Sequence, residues 1–357
     1  MRILALQLKR IGDLILTTPA LRLIRECVPD PHVVLAMDHA CADLAPAIPG
    51  VDSFIIFGRG RGFTPWQQAI TSHFDVCLDF TGSDRSALVT ALSRAPRRLT
   101  FEWVRKSRAR SLAYTEFVTS RVRDWHTTDH YLHLLAGLDL HFKGTSLPIV
   151  KRADPLPEIS TAGPIQTPAF LPGLNVPPSV SERAIAKISA AGVTAPYAVV
   201  HPGTARPEKY WEPERWAAVI THLRERHGME CVLTGGADAF ELRHIESIQQ
   251  GLLQPCRSVA GKLDLLEFAA VIERARLCIS CDTAAVHLAA AFETPQIALY
   301  GPTNPFHWRP RHAQAVVLSA AHPEQPLRDF DPRIKGAPMA GISTDVVLRA
   351  TDALLAL

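Results

Sequence analysis

The sequence predicts an α/β protein in which two Rossmann-like, doubly wound domains face a central cleft. Apolar strands alternate with amphipathic helices along both halves of the chain, a pattern typical of parallel βαβ units. A proline-rich stretch between positions 148 and 178 separates the halves and excludes a helix there. The length of 357 residues also exceeds what one ordinary core accommodates. We therefore expect an N-terminal domain over residues 1–165 and a C-terminal domain over residues 166–357, whose final helix, at about 343–357, could pack back on the first.

In the first half the predicted elements are strands near 2–8, 32–37, 53–57 and 75–79, and helices near 13–27, 84–94 and 127–140. The first strand runs directly into Lys9 and Arg10, and Asp13 follows at the start of the first helix. Ligands of open α/β sheets lie beyond the carboxyl ends of the strands, where a helix N-terminus also favours an anion. This turn is therefore a candidate site, although Asp13 could instead only cap a helix that begins near Leu14.

The second half repeats the alternation of strands and helices. Its predicted helices include SERAIAKISAAG, with Ser181 as the N-cap, and WEPERWAAVITHLRERHG, which ends at Gly228. YAVVHPG, ECVLTGG, RLCISCD and TPQIALYGPTNP are predicted strands that enter turns. Because parallel strands end at the same edge of a sheet, we expect the turns that follow them to lie close together.

Two of these turns carry groups suited to a nucleotide. HPGTARPEKYW places Thr204 and Lys209 between a strand and the next helix, where a lysine beside backbone N–H groups is suited to a diphosphate. A lysine extended over a surface loop would show the same local pattern. In TGGADAFE, Gly235 and Gly236 allow the backbone to approach a ligand closely, and Asp238 is suited to cap the next helix.

A third turn, SCDTAAVHLAAA, places Asp282 and Thr283 at the junction of a strand and a helix. The hydroxyl and the first N–H groups of that helix point to where a phosphate would bind. His287 lies four residues after Thr283 on the same helical face. As an isolated feature, His287 would be more typical of a hydrogen-bonded core histidine.

The composition favours a protein of the cytoplasm. Hydrophobic residues make up 47% and charged residues 20%, as in soluble globular proteins. We recognise no signal peptide and no apolar run of the roughly 20 residues that a spanning helix needs. Seven cysteines, an odd number without framework spacing, indicate a reducing compartment. Cys278 and Cys281 form a lone CxxC, which we interpret as buried small residues rather than half a zinc site, so we expect no metal.

A basic run, SRAPRRLTFEWVRKSRAR, stands out against a net charge of only +3. It includes Arg97, Arg98 and Arg105, and it is compatible with a solvated face, an anionic ligand or an anionic membrane. Nucleic acid is disfavoured because aromatic residues do not interleave with the charges at stacking intervals. Neither GxGxxG after the first strand nor GxxxxGK[ST] is present, which disfavours dinucleotide oxidoreductases and P-loop kinases.

Four motifs together, IGDLILTTPAL, HPGTARPEKYW, CDTAAVHLAAA and YGPTNP, resemble those of the bacterial lipopolysaccharide heptosyltransferases. These enzymes form glycosyltransferase family nine and have the two-domain GT-B fold, and the likeness covers nearly the whole chain. The resemblance implies an inverting transfer of heptose from ADP-heptose to an inner-core sugar of lipopolysaccharide, with neither a metal nor a cofactor.

The resemblance also implies roles for single residues. Asp13 falls on the catalytic base of the family, and Lys209 on its diphosphate-binding lysine. Thr283 and His287 match the D-T-x-x-x-H motif that contacts the donor phosphates, with Asp282 as its acid near the donor sugar. Between Thr283 and His287 this chain has Ala-Ala-Val, where the family more often has Gly-Leu-Ser or Gly-Ala-Met.

A phosphorylated lipopolysaccharide core could be bound by the cationic residues, because guanidinium groups form paired hydrogen bonds with phosphate. On this interpretation Lys9, Arg10, Arg97, Arg98 and Arg105 bind the acceptor, or hold the enzyme peripherally at the anionic inner face of the inner membrane. Three alternatives stay open: a family-nine transferase that uses another nucleotide sugar, a non-catalytic nucleotide-binding module, and a nucleotide-sugar epimerase.

Overall fold

The computed structural model describes residues 1–119, 121–138, 141–142, 145–146, 171–194 and 196–356. They form two compact units. The first holds the described residues up to position 146 together with Pro172–Asn175, and the second holds Leu171 and the residues from Val176 onwards. The predicted boundary between residues 165 and 166 lies outside the described residues, as does most of the proline-rich stretch, and this boundary stays a prediction.

The first unit is a six-stranded parallel sheet with the strand order β3-β2-β1-β4-β5-β6. Its elements are β1 Arg2–Gln7, α1 Ile11–Cys27, β2 His32–Asp38, β3 Ser53–Phe57, α2 Thr64–Thr71, β4 Val76–Asp79, α3 Asp84–Ser93, β5 Arg97–Phe101, α4 Arg108–Ser111, β6 Glu116–Val118 and α5 Thr127–Leu134. Two-residue strands β7 His141–Phe142 and β8 Thr145–Ser146 form a separate antiparallel pair.

Strand β1 lies inside the sheet, and all but its first residue are buried, as expected of a strand covered on both faces. It pairs with β2 on one side and with β4 on the other, so the strand order reverses beside it. The reversal point of a doubly wound sheet is where ligands bind, beyond the carboxyl ends of the strands. The turn from β1 into α1 therefore lies at the ligand-binding edge of this unit.

The second unit repeats this topology with the strand order β11-β10-β9-β12-β13-β14. Its elements are α6 Pro178–Ala190, β9 Tyr197–His201, α7 Pro213–His227, β10 Glu230–Leu233, α8 Ala239–Gln250, β11 Arg257–Ser258, α9 Leu265–Glu273, β12 Leu277–Cys281, α10 Ala284–Ala291, β13 Gln296–Tyr300, β14 Ala315–Ser319 and α11 Thr344–Leu355. Strand β9 pairs with β10 and β12, so the turns that follow β9 and β12 adjoin at the reversal point.

The predicted α/β class and the parallel pairing of the strands are confirmed, but three helix starts differ from the prediction. Helix α7 begins at Pro213, two residues later than predicted. Helix α1 begins at Ile11, two residues earlier than predicted. Helix α6 begins at Pro178, with Pro177 at the N-cap, so Ser181 lies buried inside the helix and caps nothing. Proline suits the first turn of a helix because its missing N–H would have no partner there, and this preference outweighs the serine signal.

Other local predictions are confirmed. Gly228 ends α7 in the left-handed conformation, with φ of +59°, and the Asp238 carboxylate accepts a hydrogen bond from the Phe240 N–H as the N-cap of α8. Cys278 and Cys281 are buried free thiols of β12. The helix predicted near 127–140 is α5, followed by a 3₁₀ turn over Leu135–Leu138.

The last helix, α11, contacts α7, β13 and β14 of its own unit. The chain just before it is held by the indole N–H of Trp211, which donates to the Ile342 carbonyl at 2.9 Å. Packing of this helix on the first domain stays a prediction. No helix among the described residues is long and apolar enough to cross a membrane.

Candidate functional site

Asp13 lies in the first turn of α1, directly beyond the carboxyl end of the central strand β1. Its carboxylate oxygen Oδ1 accepts a hydrogen bond from the Tyr131 hydroxyl at 2.6 Å. The N-cap of α1 is Arg10, and no side chain caps this helix. The capping interpretation of Asp13 is therefore wrong, and its carboxylate is bound by Tyr131 instead.

Tyr131 was missed by the sequence reasoning. It lies on α5, 118 residues away from Asp13, and only 1% of its surface is exposed. Its ring packs edge-on against Phe80, and the Lys9 ammonium lies 5.7 Å from the ring centroid. Burial, together with the charge of Asp13, raises the pKa of the Tyr131 phenol well above its ordinary value. The phenol is therefore a permanent hydrogen-bond donor to the carboxylate at physiological pH.

Two side chains also hold the backbone of this turn. The side-chain amide of Gln7 donates to the Thr17 hydroxyl, and that hydroxyl donates to the backbone carbonyl of Asp13, both at 2.8 Å. Among the residues that the structure describes, none donates a hydrogen bond to the second carboxylate oxygen, Oδ2. Within the described part of the chain, Asp13 is thus held through Oδ1. Arg10, exposed, and Lys9, partly exposed, flank the same turn.

In the second unit the structure brings Lys209 and Asp282 together. The Lys209 ammonium lies 2.5 Å from Asp282 Oδ2, and the two side chains are only 12% and 10% exposed. Lys209 follows β9 and Asp282 follows β12, so this ion pair bridges the two strands at the reversal point. Two charges this deeply buried require each other, because an unpaired one would lose its hydration without compensation.

The remaining residues of the D-T-x-x-x-H motif lie on α10. Thr283 is the N-cap of α10, and its hydroxyl oxygen accepts a hydrogen bond from the Ala285 N–H at 3.3 Å. His287 is 6% exposed and lies one turn further along the helix. Thr204, in the turn after β9, is 7% exposed. The N-terminus of α10 therefore lies directly beside the Lys209–Asp282 pair, where its N–H groups favour an anion.

Gly235 and Gly236 line a pocket of 210 Å³ in the second unit. The walls are largely apolar, and the pocket is lined by His201, Thr234, Gly235, Gly236, Val259, Leu263, Asp264, Leu265 and Phe268. The His201 ring lies 4.8 Å from the Phe268 ring at an angle of 31°, and its Nδ1 lies 3.0 Å from the Thr234 hydroxyl. Burial lowers the pKa of His201 to about 4, so its imidazole is neutral at physiological pH.

Glu241, on α8, is a second residue that the sequence reasoning missed. Its carboxylate accepts a hydrogen bond from the Gly236 N–H at 2.7 Å. A Cβ atom at Gly203 would collide with the same carboxylate, so a side chain there would displace Glu241. Glu241 thus joins the turns after β9 and β10. In the sequence, Glu241 has the pattern of any acidic residue in the first turn of a helix, so this role could not be predicted.

The basic run is largely engaged in structural contacts. Arg97 forms a two-point ion pair with Glu116 at 2.8 and 2.7 Å, which joins β5 to β6. Arg98 donates to the carbonyls of Ala113 and Ala95 at 2.7 and 2.6 Å. Arg105 is exposed, with its guanidinium 4.6 Å from the ring centroid of Phe117. Acceptor binding by these arginines stays a prediction, and it is easiest to reconcile with the position of Arg105.

Comparison with known proteins gives one consistent family. Residues 65–335 match the family described as glycosyltransferase family 9 (heptosyltransferase). Lipopolysaccharide heptosyltransferase 3 of Escherichia coli is 26% identical over 325 residues, which cover 89% of this chain and 89% of the relative.

Two solved structures share the fold over nearly their whole lengths. The glycosyl transferase family 9 protein of Veillonella parvula superposes with a TM-score of 0.79 at 22% identity, covering 99% of this chain and 97% of that one. The ADP-heptose lipopolysaccharide heptosyltransferase II of E. coli gives a TM-score of 0.77 at 21% identity, covering 100% and 99%. At such identities the superposition establishes the fold, and the fold is that of these heptosyltransferases.

Proposed function

The chain belongs to glycosyltransferase family 9, and from this premise we propose that it transfers heptose from ADP-heptose to an inner-core sugar of lipopolysaccharide, with inversion and without a metal ion or cofactor. As a member of that family it is a glycosyltransferase. The observation that carries the proposed chemistry is the anchored carboxylate of Asp13, which has one oxygen bound by Tyr131 and lies at the ligand edge of its sheet. The donor is proposed from the name of the E. coli heptosyltransferase II.

Asp13 acts as the general base. Its free oxygen Oδ2 accepts the proton of the acceptor hydroxyl while the hydroxyl oxygen attacks the anomeric carbon of heptose. The new C–O bond forms on the face opposite the departing ADP, and the bond from the anomeric carbon to the phosphate oxygen breaks, so the configuration inverts. Tyr131 holds the other oxygen and fixes the direction of the carboxylate, which supplies the orientation that proton transfer requires.

ADP leaves with increased negative charge on its diphosphate. The Lys209 ammonium and the first N–H groups of α10 provide positive charge at the place where we position the diphosphate. Asp282 holds the lysine in position, and its own carboxylate faces the proposed heptose. Charge stabilisation by these groups is the basis for proposing transfer without a divalent ion.

The pocket beside Gly235 and Gly236 suits the adenine. A flat base fits between the His201–Phe268 ring pair and the apolar wall, and the neutral imidazole adds no charge that would favour a phosphate there. Glycine at the rim lets the backbone approach the nucleotide closely. The diphosphate would then extend from this pocket toward Lys209, across the adjoining turns of the same unit.

The acceptor side belongs to the first unit. Lys9, Arg10 and Arg105 have partly or fully exposed side chains, and we assign them to the phosphates of the lipopolysaccharide core. Because that acceptor is a membrane lipid, we propose that the enzyme works in the cytoplasm, peripherally at the inner face of the inner membrane.

Two assays test the proposal. Thermal unfolding with ADP, UDP, GDP or NAD, each with EDTA, reports the nucleotide that binds, because a ligand specific to the folded state raises its stability by about 2.7 kcal/mol at a hundredfold excess over Kd. Mass spectrometry then follows heptose transfer from ADP-heptose to lipopolysaccharide that lacks the added heptose, and NMR gives the anomeric configuration.

We expect stabilisation by ADP alone and an acceptor mass increased by one heptose. A preference for UDP or GDP would retain the enzyme class and contradict the donor. ADP binding without acceptor-dependent release of ADP would contradict transfer and favour a binding module or an epimerase. Loss of transfer in EDTA that a divalent ion restores would contradict metal independence.

A further inference from the structure

Three side chains on the outside of the second unit converge on one point. The Nε2 atoms of His222 and His227, both on α7, each lie 2.7 Å from Oδ1 of Asp352 on α11. The three potential ligand atoms lie within 4.8 Å of one another. We propose that this cluster binds one divalent transition-metal ion of the zinc class and thereby clamps the last helix, α11, to α7.

The position of the cluster separates it from the proposed transfer reaction. Helix α7 starts beyond the carboxyl end of β9 and returns along the sheet, so its last residue, His227, lies just before β10 begins. The cluster is therefore at the amino ends of the strands. Lys209 and Asp282 follow the carboxyl ends of β9 and β12, at the opposite edge of the same sheet.

The chemistry of the three ligands selects the ion. Two imidazole nitrogens with one carboxylate oxygen form a set that Zn²⁺ accepts readily, whereas Ca²⁺ and Mg²⁺ prefer oxygen ligands throughout. Three protein ligands leave a fourth tetrahedral position for water. The ligands are accessible to an ion from solvent, because the side chains of His222, His227 and Asp352 are 22%, 19% and 45% exposed.

The observed spacing is close to that of a metal site. Ligands about 2.0–2.1 Å from a tetrahedral ion are about 3.3 Å apart, so each nitrogen would move about half an ångström away from Asp352. The two nitrogens, which lie within 4.8 Å of each other, would adopt the same spacing. In the metal-bound form each imidazole carries its proton on Nδ1 and offers the lone pair of Nε2. The ion replaces two N–H···O bonds with three bonds to itself, and no other group needs to change its protonation.

The wide spacing of the three ligands along the chain explains why no local motif predicts this cluster. His222 and His227 are five residues apart on one helix, and the third ligand lies 125 residues after His227. The expectation of no metal rested on local spacing, which this arrangement lacks. The proposal adds a structural ion and leaves the transfer reaction without one.

The test uses the full-length protein after removal of metal with a chelator that is then dialysed away. Calorimetric titration with Zn²⁺ should show one equivalent bound per chain, and Tm should rise by about 5–10 °C at a hundredfold excess over Kd. Co²⁺ in the same site should show the intense visible absorption of a four-coordinate ion. Weak octahedral bands, or no saturable binding of Zn²⁺, would overturn the proposal whether or not any variant folds.

Variants locate the ion. His222→Gln and His227→Gln each remove one nitrogen ligand and should weaken Zn²⁺ binding by more than about tenfold. The matched control is His32→Gln, since His32 also lies beside a carboxylate, with Nδ1 3.9 Å from Asp52, but in a pair without a third ligand. The control should keep wild-type affinity. Equal affinity in the wild type and in the His222→Gln/His227→Gln double variant would place the ion elsewhere and contradict the proposal.

Discussion

Each unit presents a carboxylate at the ligand edge of its sheet, but the two have different partners. Asp13 is bound through one oxygen by the neutral hydroxyl of Tyr131, whereas Asp282 is bound by the cation Lys209. A neutral donor orients a carboxylate without cancelling its charge. An ion pair cancels much of the charge and fixes the cation in return. One residue type therefore has two different environments here: a neutral donor holds Asp13, the proposed base, and a cation holds Asp282.

The largest effect should follow from removing the proton acceptor. Asp13→Asn keeps the hydrogen bond geometry near Tyr131 but cannot accept the acceptor proton, so kcat for heptose transfer should fall by about 10²–10⁴-fold. Steady-state assays with ADP-heptose measure this. Asp43→Asn, at an exposed aspartate of the same unit, is the matched control and should retain kcat. A fall in kcat of less than tenfold in Asp13→Asn would show that Asp13 is not the general base.

Next in size is the cost of breaking the buried ion pair. Lys209→Met leaves the Asp282 charge without its partner, so the free energy of unfolding should fall by about 3 kcal/mol. Lys209→Met combined with Asp282→Leu removes both charges and should recover most of that loss. Urea denaturation gives these values. If the double variant is no more stable than Lys209→Met, the two side chains do not act as a pair.

As the pH falls, the second unit should lose stability at a higher pH than the first. Burial lowers the pKa of His201, His244 and His312 to about 4, so the folded state binds fewer protons than the unfolded chain between about pH 6.5 and 4. Stability therefore falls as the pH falls through this range, by about 1 kcal/mol for each histidine between pH 7 and pH 5.5. In the first unit burial also lowers the pKa of His133, but Asp79 has the opposite sign, because burial raises its pKa.

Hydrogen exchange at pH 5.5 and pH 7, corrected for the intrinsic exchange rate, resolves the two units separately. Protection should decrease more in β9 and β13 of the second unit than in β1 and β4 of the first. His312→Gln should reduce the pH dependence of the second unit by about a third, because His201 and His244 remain. Equal losses of protection in both units would contradict the contrast between them.

A smaller effect should follow from removing the phenol alone. Tyr131→Phe leaves Asp13 able to accept a proton but no longer held, so kcat should fall by about tenfold while KM for the donor stays unchanged. The matched control is Tyr114→Phe, which breaks an equally short bond, 2.6 Å to Asp79, in the same unit. That control should lower stability but not kcat. Equal losses of kcat in both variants would reduce Tyr131 to a structural role.

The smallest effect concerns the basic run. Arg105→Glu should raise KM for the phosphorylated acceptor by a few-fold, because an exposed charge contributes less than about 1 kcal/mol. Arg97→Lys, which keeps the charge but loses the two-point pairing with Glu116, should act on stability rather than on KM. Titration of the acceptor distinguishes these outcomes. An unchanged KM in Arg105→Glu would remove this residue from the acceptor site.

The sequence was sufficient for the alternation of elements and for the residues that follow each strand, because those depend on local patterns. Lys209 and Asp282 were each expected at a strand end, and the parallel sheet brings them together. Tyr131 was beyond reach, because an aromatic residue on an amphipathic helix has the same pattern whether it fills a core or binds a carboxylate. Arg97 and Arg98 likewise could not be interpreted from the sequence, because a cationic residue has the same pattern in a ligand site and in a structural contact. In the structure Arg97 binds Glu116 of β6, and Arg98 binds the Ala113 carbonyl.

The proposal that Asp13 serves the chemistry and that the Lys209–Asp282 pair serves donor binding is tested most directly by the affinity for ADP. Isothermal titration of Asp13→Asn and Lys209→Met with ADP, beside the wild type, separates the proposed chemistry from donor binding. We expect Asp13→Asn to bind ADP within twofold of the wild type, and Lys209→Met to bind it about 10–100-fold more weakly. Comparable weakening in both variants, or undiminished ADP binding in Lys209→Met, would contradict it.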